Sequence, residues 1–487
     1  MTARWLAAGV IPILVGGLAF AVYRLTLAPG LTWSHAGADG GDLITAAVVW
    51  GVPHPPGYPT YTLLGHLFAA LPFGSPAFNL NLMSATCSAL AAALVAGGIL
   101  RSMSWQSRET RYAAAVAGLT LAFGPMPWGQ ATIAEVHALN ALFAATICFI
   151  VSPWSAASPD LDLSAKAALG VVWGLGLGNS LTIAAFAPLV LPALWSGARG
   201  RAAGFGALGT GLCVYALIPI QSSARPVINW GDVQSLESFI WLVSGGLYRG
   251  YALAAPIELV LQRLLTLPRL WLEQAGWIGG IWIAYGIAAR KRAKQLTPAS
   301  IVALLTVVFA TTYNTSDSDL YLIPLWVLSA GYLGIGLAEV FAKLAGRVWR
   351  AAVTATAGWV VIALLVGGWR DHDLSQDRQA AAFAESALPG LPRSAILVTH
   401  ADAHTFTLWY YRLVRGWRTD VSIVDARLAG YVWYEPMLSA QGAAPLLPAD
   451  RNEDGLVDRL AAANPARPVC DLISPPQDDH LSILRCD

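Results

Sequence analysis

The sequence predicts a polytopic α-helical membrane protein with a small C-terminal α/β domain, and three observations point there. Of 487 residues 56% are hydrophobic and 12% charged, against about a quarter charged in an ordinary soluble protein. Mean hydropathy is +0.55, and 20 Trp suit a chain whose indoles populate membrane interfaces. Beyond residue 370 Asp, Arg, Pro and His return and the apolar runs shorten. A net charge of +1 and no basic cluster with interleaved aromatics exclude a nucleic-acid binder.

Apolar runs of spanning length fall at about 5–28, 79–100, 112–125, 136–151, 167–180, 181–197, 202–220, 270–289, 298–313, 320–338 and 351–369, which predicts about eleven spans. The first reads as an anchor, because no small-residue cleavage site stands before Trp33. With the N-terminus cytoplasmic, alternate loops carry Arg4; Arg101, Arg108 and Arg111; Lys166; Arg199 and Arg201; Arg290, Lys291, Arg292 and Lys294; and Lys343, Arg347 and Arg350. The positive-inside rule then puts the loop after the first span, and everything after 370, outside. The expected location is a membrane, with a bacterial cytoplasmic membrane as the expected one.

The first external loop, 29–78, is polar, acidic and rich in proline. ITAAVVW after Asp42 and YTLLGHLFAALP after Pro59 are short for spans and read as helices at the interface, separated by the Pro-Pro-Gly turn. Making 58–73 a span would put the basic 101–111 loop outside, which the charge rule disfavours. The transmembrane domain is thus 1–369 and the outer domain 370–487. In the latter SAILVTH, DVSIVD and PVCDLIS read as buried strands, and 403–415 and 455–463 as helices. Alternation of the two predicts a largely parallel sheet with a core of its own.

Ionisable groups held against a bilayer are by default functional. Asp39 and Asp42 lie three apart in a glycine-rich turn. If the helix begins near Leu43, Asp42 approximates its N-cap, which leaves Asp39 as the better general base, its carboxylate partly desolvated at a cavity edge. His54, fixed before two prolines, and Tyr58 follow in HPPGYP. Glu135, His137 and Asn140 open the span at 136 at the same face, where helix-dipole compensation is the competing role for Glu135. Arg225, Tyr248 and Arg249 lie in a third outer segment, 218–251, and Asp317 and Asp319 in a fourth. Arg suits phosphate and Tyr suits sugar faces or headgroup depth, with snorkelling as the alternative for each Arg.

Taken together, the Asp-Gly-Gly-Asp turn, HPPGYPTY, NLMSA, WGQATIAEVHALN, GLGLGNSLT and ARPVINWGD resemble the O-mannosyltransferase-like multi-span proteins of the GT-C glycosyltransferase superfamily, over roughly residues 10–330. The family commonly has Glu where Asp42 stands and His where Ser180 stands. The resemblance implies an outward-facing cavity in which a sugar, mannose-like in this family, leaves a polyprenyl-phosphate carrier. It also implies an acid of the first external loop as base, which maps to Asp39 with Asp42 beside it. Binding roles then fall to His54, Tyr58, Glu135, His137, Asn140, Arg225, Tyr248 and Arg249, for a protein Ser/Thr or glycan acceptor. No cofactor or metal is required, since a lipid phosphate leaves carrying its own charge and no His/Cys cluster has ligand spacing. A transporter would instead place its ionisable groups near mid-span, and a lipid- or glycan-modifying transferase would share these loops.

Two features of the outer domain remain. HADAH, with His400, Asp402 and His404, resembles a metal triad, but Asp402 as a helix cap is the simpler expectation. Trp409, Tyr410 and Tyr411 are expected in the core. Cys470 and Cys486 fall outside the spans on neighbouring predicted strands, so a disulfide between them is expected.

Overall fold

A computed structural model describes residues 2–103, 107–156, 160–291, 296–442, 444–473 and 483–486, with 2–8 as backbone only. Arg292 and Lys294 of the expected basic loop lie outside them. Each of the eleven apolar runs coincides with a helix or helix pair, from Thr2–Thr26 to Arg347–His372. Among the described residues five helices are long and apolar enough to cross a membrane unaided, six if one bent pair counts as a span.

Local chemistry sets the helix starts. Ser75 caps Pro76–Ser102 by accepting from Phe78 N at 3.2 Å, Ser107 caps Arg108–Phe123 through Thr110 N, and Asp162 caps Leu163–Leu177 through Ala165 N. Each satisfies an amide that the first turn leaves unpaired. Helix Ile323–Lys343 lies at the bundle centre, while Arg347–His372 lies at its rim with few buried residues. Helix Ile257–Ala289 crosses Ile323–Lys343 closely: a Cβ on Gly336 would come within 1.9 Å of Trp282 O. Such contact needs small residues, as in membrane bundles generally.

Pro125–Ala131 and Val136–Val151 meet at 119°, so a short, largely buried helix precedes the span that opens at 136. In the first external loop the two expected helices are Gly40–Val49 and Pro59–Ala69. A parallel bridge, Val52 to Asn229, ties the turn between them to the third outer segment.

The outer domain holds strands β1 (Ile396–Thr399), β2 (Ser422–Asp425), β3 (Val469–Ile473) and β4 (Ile483–Cys486). Their order is β2-β1-β3-β4; β1 pairs parallel with β2 and β3, and β4 antiparallel with β3. Cys470 faces Cys486 in that register and the two form the expected disulfide. Trp409, Tyr410 and Tyr411 are buried.

The expected separate core is not what forms. Leu31, Leu43 and Ile44 of the first loop, Ile228 and Trp230 of the third outer segment, and Ile396, Phe406 and Trp409 of the sheet domain belong to one continuous apolar cluster. The reason is steric as well as apolar, since a Cβ on Gly41 would lie 2.4 Å from Phe406 O. The domain is clamped onto the loop it covers.

Candidate active site

The turn that delivers Asp39 runs through left-handed residues. His35 and Ala36 have φ of 56° and 63°, a conformation that costs non-glycine residues on the order of 1–3 kcal/mol each and concentrates at functional sites. Helix Gly40–Val49 then begins with both glycines inside it. Asp39 occupies the N-cap position without a side-chain capping bond, and Asp42 lies in the first turn. The expectation that Asp42 is the cap is therefore corrected: three residues apart on one helical face, both carboxylates turn to His54.

Asp42 is fully buried and saturated with donors. Its Oδ2 accepts from His54 N at 2.9 Å and lies 2.7 Å from His54 Nδ1, and its Oδ1 accepts from Trp230 Nε1 at 3.0 Å. On the other edge of the imidazole, Nε2 is 3.5 Å from Asp39 Oδ2. His54 is thus oriented by a buried acid and presented to a second one. The ring stacks on Phe406 at 6.2 Å and 8° and meets Tyr58 and Tyr248 edge-on at 5.1 and 6.1 Å.

Asp39 keeps 41% of its side chain open to solvent although protein surrounds it, as a carboxylate on a cavity wall would. Burial raises it to about 6; protonated His54 works against this and the charges of Asp402, Asp317 and Asp42 add to it. For His54 burial favours the neutral ring, but Asp39 and then Asp42 outweigh it and raise the imidazole to about 9. Between those values the pair is carboxylate and imidazolium.

Of the other expected residues, Glu135 is buried at the break before Val136–Val151, where it is the N-cap residue and accepts from Val136 N at 3.3 Å, while Oε1 has no hydrogen-bond partner among the described residues. His137 meets Tyr321 at 5.5 Å, and Asn140 donates to Thr182 Oγ1, which in turn meets Ser180 Oγ at 2.8 Å. Arg225 and Arg249 are exposed and outside the hydrogen-bonded cluster, Arg249 donating to Ser244 Oγ. The aromatic series Tyr248, Tyr251, Tyr313 and Tyr321 links the rings at His54 to His137 at centroid separations of 5.5–6.4 Å. On the far side of the Asp39 turn a cavity of about 360 Å³ is lined by His35, Gln130, Asp317, Asp319 and His372 among others.

The HADAH residues diverge. His400 bonds Asp471 at 2.8 Å, His404 stacks on Phe383, and Asp402 pairs with Arg427 at 2.8 Å. Asp402 makes no capping bond, Ala401 being the N-cap, so that expectation is also corrected. Among the described residues no three His, Cys, Asp or Glu side chains are placed to hold one metal ion. Sequence reasoning missed Trp230 and Phe406 as parts of the site. Trp230 sits inside ARPVINWGD and so had a local signal; Phe406 had none.

Comparison with known proteins finds likenesses over both the helical part and the outer domain. Residues 39–197 match the family model of the protein O-mannosyl-transferase TMEM260 N-terminal domain, and 380–456 match TMEM260-associated domain 2. The protein O-mannosyl-transferase TMEM260 of Mus musculus is 28% identical over 463 residues, covering 88% of this chain and 64% of the relative. That of Dictyostelium discoideum is 23% identical, covering 85% and 57%. The chain therefore spans about three fifths of the length of the relatives it matches. In fold it is similar to ArnT from Cupriavidus metallidurans, solved in the apo state (TM-score 0.60, 14% identity, 97% of this chain and 93% of that one) and bound to undecaprenyl phosphate (0.58, 14%, 100% and 98%). It is also similar to the oligosaccharyltransferase AglB of Archaeoglobus fulgidus, solved with an inhibitory peptide and a dolichol-phosphate (0.53, 12%, 95% and 69%). The chain is thus similar in sequence to the TMEM260 protein O-mannosyl-transferases and in fold to ArnT and AglB.

Proposed function

We propose that the chain is an inverting glycosyltransferase that moves a mannose-like hexose from a polyprenyl-phosphate carrier to a hydroxyl, protein Ser/Thr in the first instance, on the extracytoplasmic face. The observation that carries this reading is the Asp39–His54–Asp42 arrangement, with Asp42 buried and Asp39 partly open to solvent. The names of the relatives and the carrier lipid in the ArnT structure support donor and acceptor class.

The acceptor oxygen attacks the anomeric carbon as its proton passes to Asp39. The bond from that carbon to the phosphate oxygen breaks, its electron pair leaves with the carrier phosphate, and one displacement inverts the centre. Asp42 holds His54 so that an imidazolium faces the anionic groups of the site, and preorganised charge of this kind acts where charge develops. No cofactor beyond the lipid-linked sugar enters these steps.

The test is to incubate purified protein with a panel of polyprenyl-phosphate sugars and follow carrier release and acceptor mass by mass spectrometry. Transfer from one donor to a Ser/Thr peptide is the expected result; turnover with no donor overturns the reading. For orientation, Arg108→Cys and Val432→Cys are placed singly on a background lacking the free Cys87, Cys148 and Cys213. An impermeant thiol reagent in intact cells should label position 432, which is 87% exposed, and spare 108; the reverse overturns the topology.

A further inference from the structure

A carrier phosphate needs a cation, and the two arginines expected from the sequence stand outside the cluster. The sheet domain offers another. Phe406 stacks on His54, and Asp402, one helical turn earlier in Asp402–Trp409, lies on the same face. Asp402 is accordingly on the helix face turned to the Asp39–His54–Asp42 cluster, near enough that its charge is felt by Asp39 and His54.

Asp402 does not stand alone. Arg427 Nη2 donates to Asp402 Oδ1 at 2.8 Å and to Asp425 Oδ2 at 2.6 Å, and Arg427 Nε donates to Asp425 Oδ1 at 3.1 Å. Asp425 is fully buried, also accepts from Thr405 Oγ1, and fixes the guanidinium from below. Asp402 and Arg427, 48% and 35% exposed, form the open half of the group. A guanidinium held on one edge by a buried acid, and on the other by an exposed one, is preset for a tetrahedral oxyanion that replaces the exposed acid.

We propose that Arg427 of the C-terminal domain binds the phosphate of the lipid-linked substrate, with Asp402 as the carboxylate that the phosphate displaces. This rests on the transferase reading above and assigns the outer domain a share in donor binding. Asp402 holds Arg427 in place when no donor is present, and on binding the phosphate takes the place of that carboxylate on the guanidinium.

The experiment measures binding of a polyprenyl phosphate, and of the matching polyprenol, to the full chain in detergent. Arg427→Gln should weaken the phosphate lipid about tenfold or more and leave the polyprenol unchanged. Because Arg427 also neutralises Asp425, a folding defect is guarded against by Asp402→Asn, which leaves that buried pair intact. Removing the competing carboxylate should tighten the phosphate lipid several-fold, an effect that a purely structural ion pair does not give. Unchanged phosphate affinity in Asp402→Asn, or in a folded Arg427→Gln, overturns the assignment and leaves the transferase reading standing. If the unaltered chain binds phosphate and alcohol equally, both fall.

Discussion

Of the two groupings of histidine and carboxylate picked out in the sequence, Asp39, Asp42 and His54 converge and His400, Asp402 and His404 do not. In the first, a fully buried acid fixes one edge of the ring and a half-open acid meets the other. In the second, His400 is tied to Asp471 across the sheet, His404 lies against Phe383, and Asp402 pairs with Arg427. Spacing along a chain proposes a site, but what settles it is where each side chain finds its partner. The HADAH residues follow β1 and open a helix, so they point three ways, whereas HPPGYP is brought back onto the helix that carries both acids.

The sharpest way to break this contrast is Asp39→Asn. Loss of general-base assistance should lower transfer about 100-fold or more with the melting temperature unchanged. A variant that turns over like the unaltered protein moves the base elsewhere. Asp42→Asn probes the orienting acid: weakened charge-assisted bonds to His54 should remove about 2 kcal/mol of stability as well as most of the rate, so a denaturant midpoint that does not move would contradict its role.

The pH profile sharpens the comparison next. A base must be deprotonated, so transfer should fall about tenfold per pH unit as pH drops below the Asp39 value of about 6. It should fall again as pH rises through about 9, where His54 loses its proton. Measured kcat/KM that is flat between 5 and 7 would deny Asp39 the task. In stability the His54 contribution has the sign of a raised imidazole: present below 6.5 and lost through about 9. The smallest effect belongs to the other grouping. His400→Ala should leave transfer intact and change stability by less than about 1 kcal/mol, checked by the same assay and melt.

How far the sequence revealed all this differs by feature. The paired helices of the first loop, the strands and the disulfide were legible because hydrophobic period, proline and cysteine placement act locally. The start of helix Gly40–Val49 was misplaced by three residues because glycines disfavour helix interiors. Here Gly41 is in the helix because its backbone meets Phe406 O, a contact from more than 350 residues away. The same blindness to distant partners hid Phe406 and the shared core. A composition shift at 370 looks like a boundary, yet the charges that mark it sit on exposed faces while the apolar faces of both regions fuse.

The stacking of Phe406 on His54 also sets a clock. About 350 residues separate the two rings along the chain, and at roughly 5–20 residues per second the ribosome needs on the order of 20–70 s between them. Throughout that interval the acids of the first loop have been made and the cover that desolvates them has not. Under the proposed mechanism a nascent chain is therefore inert until the segment around Phe406 has been made and folds down on the first loop.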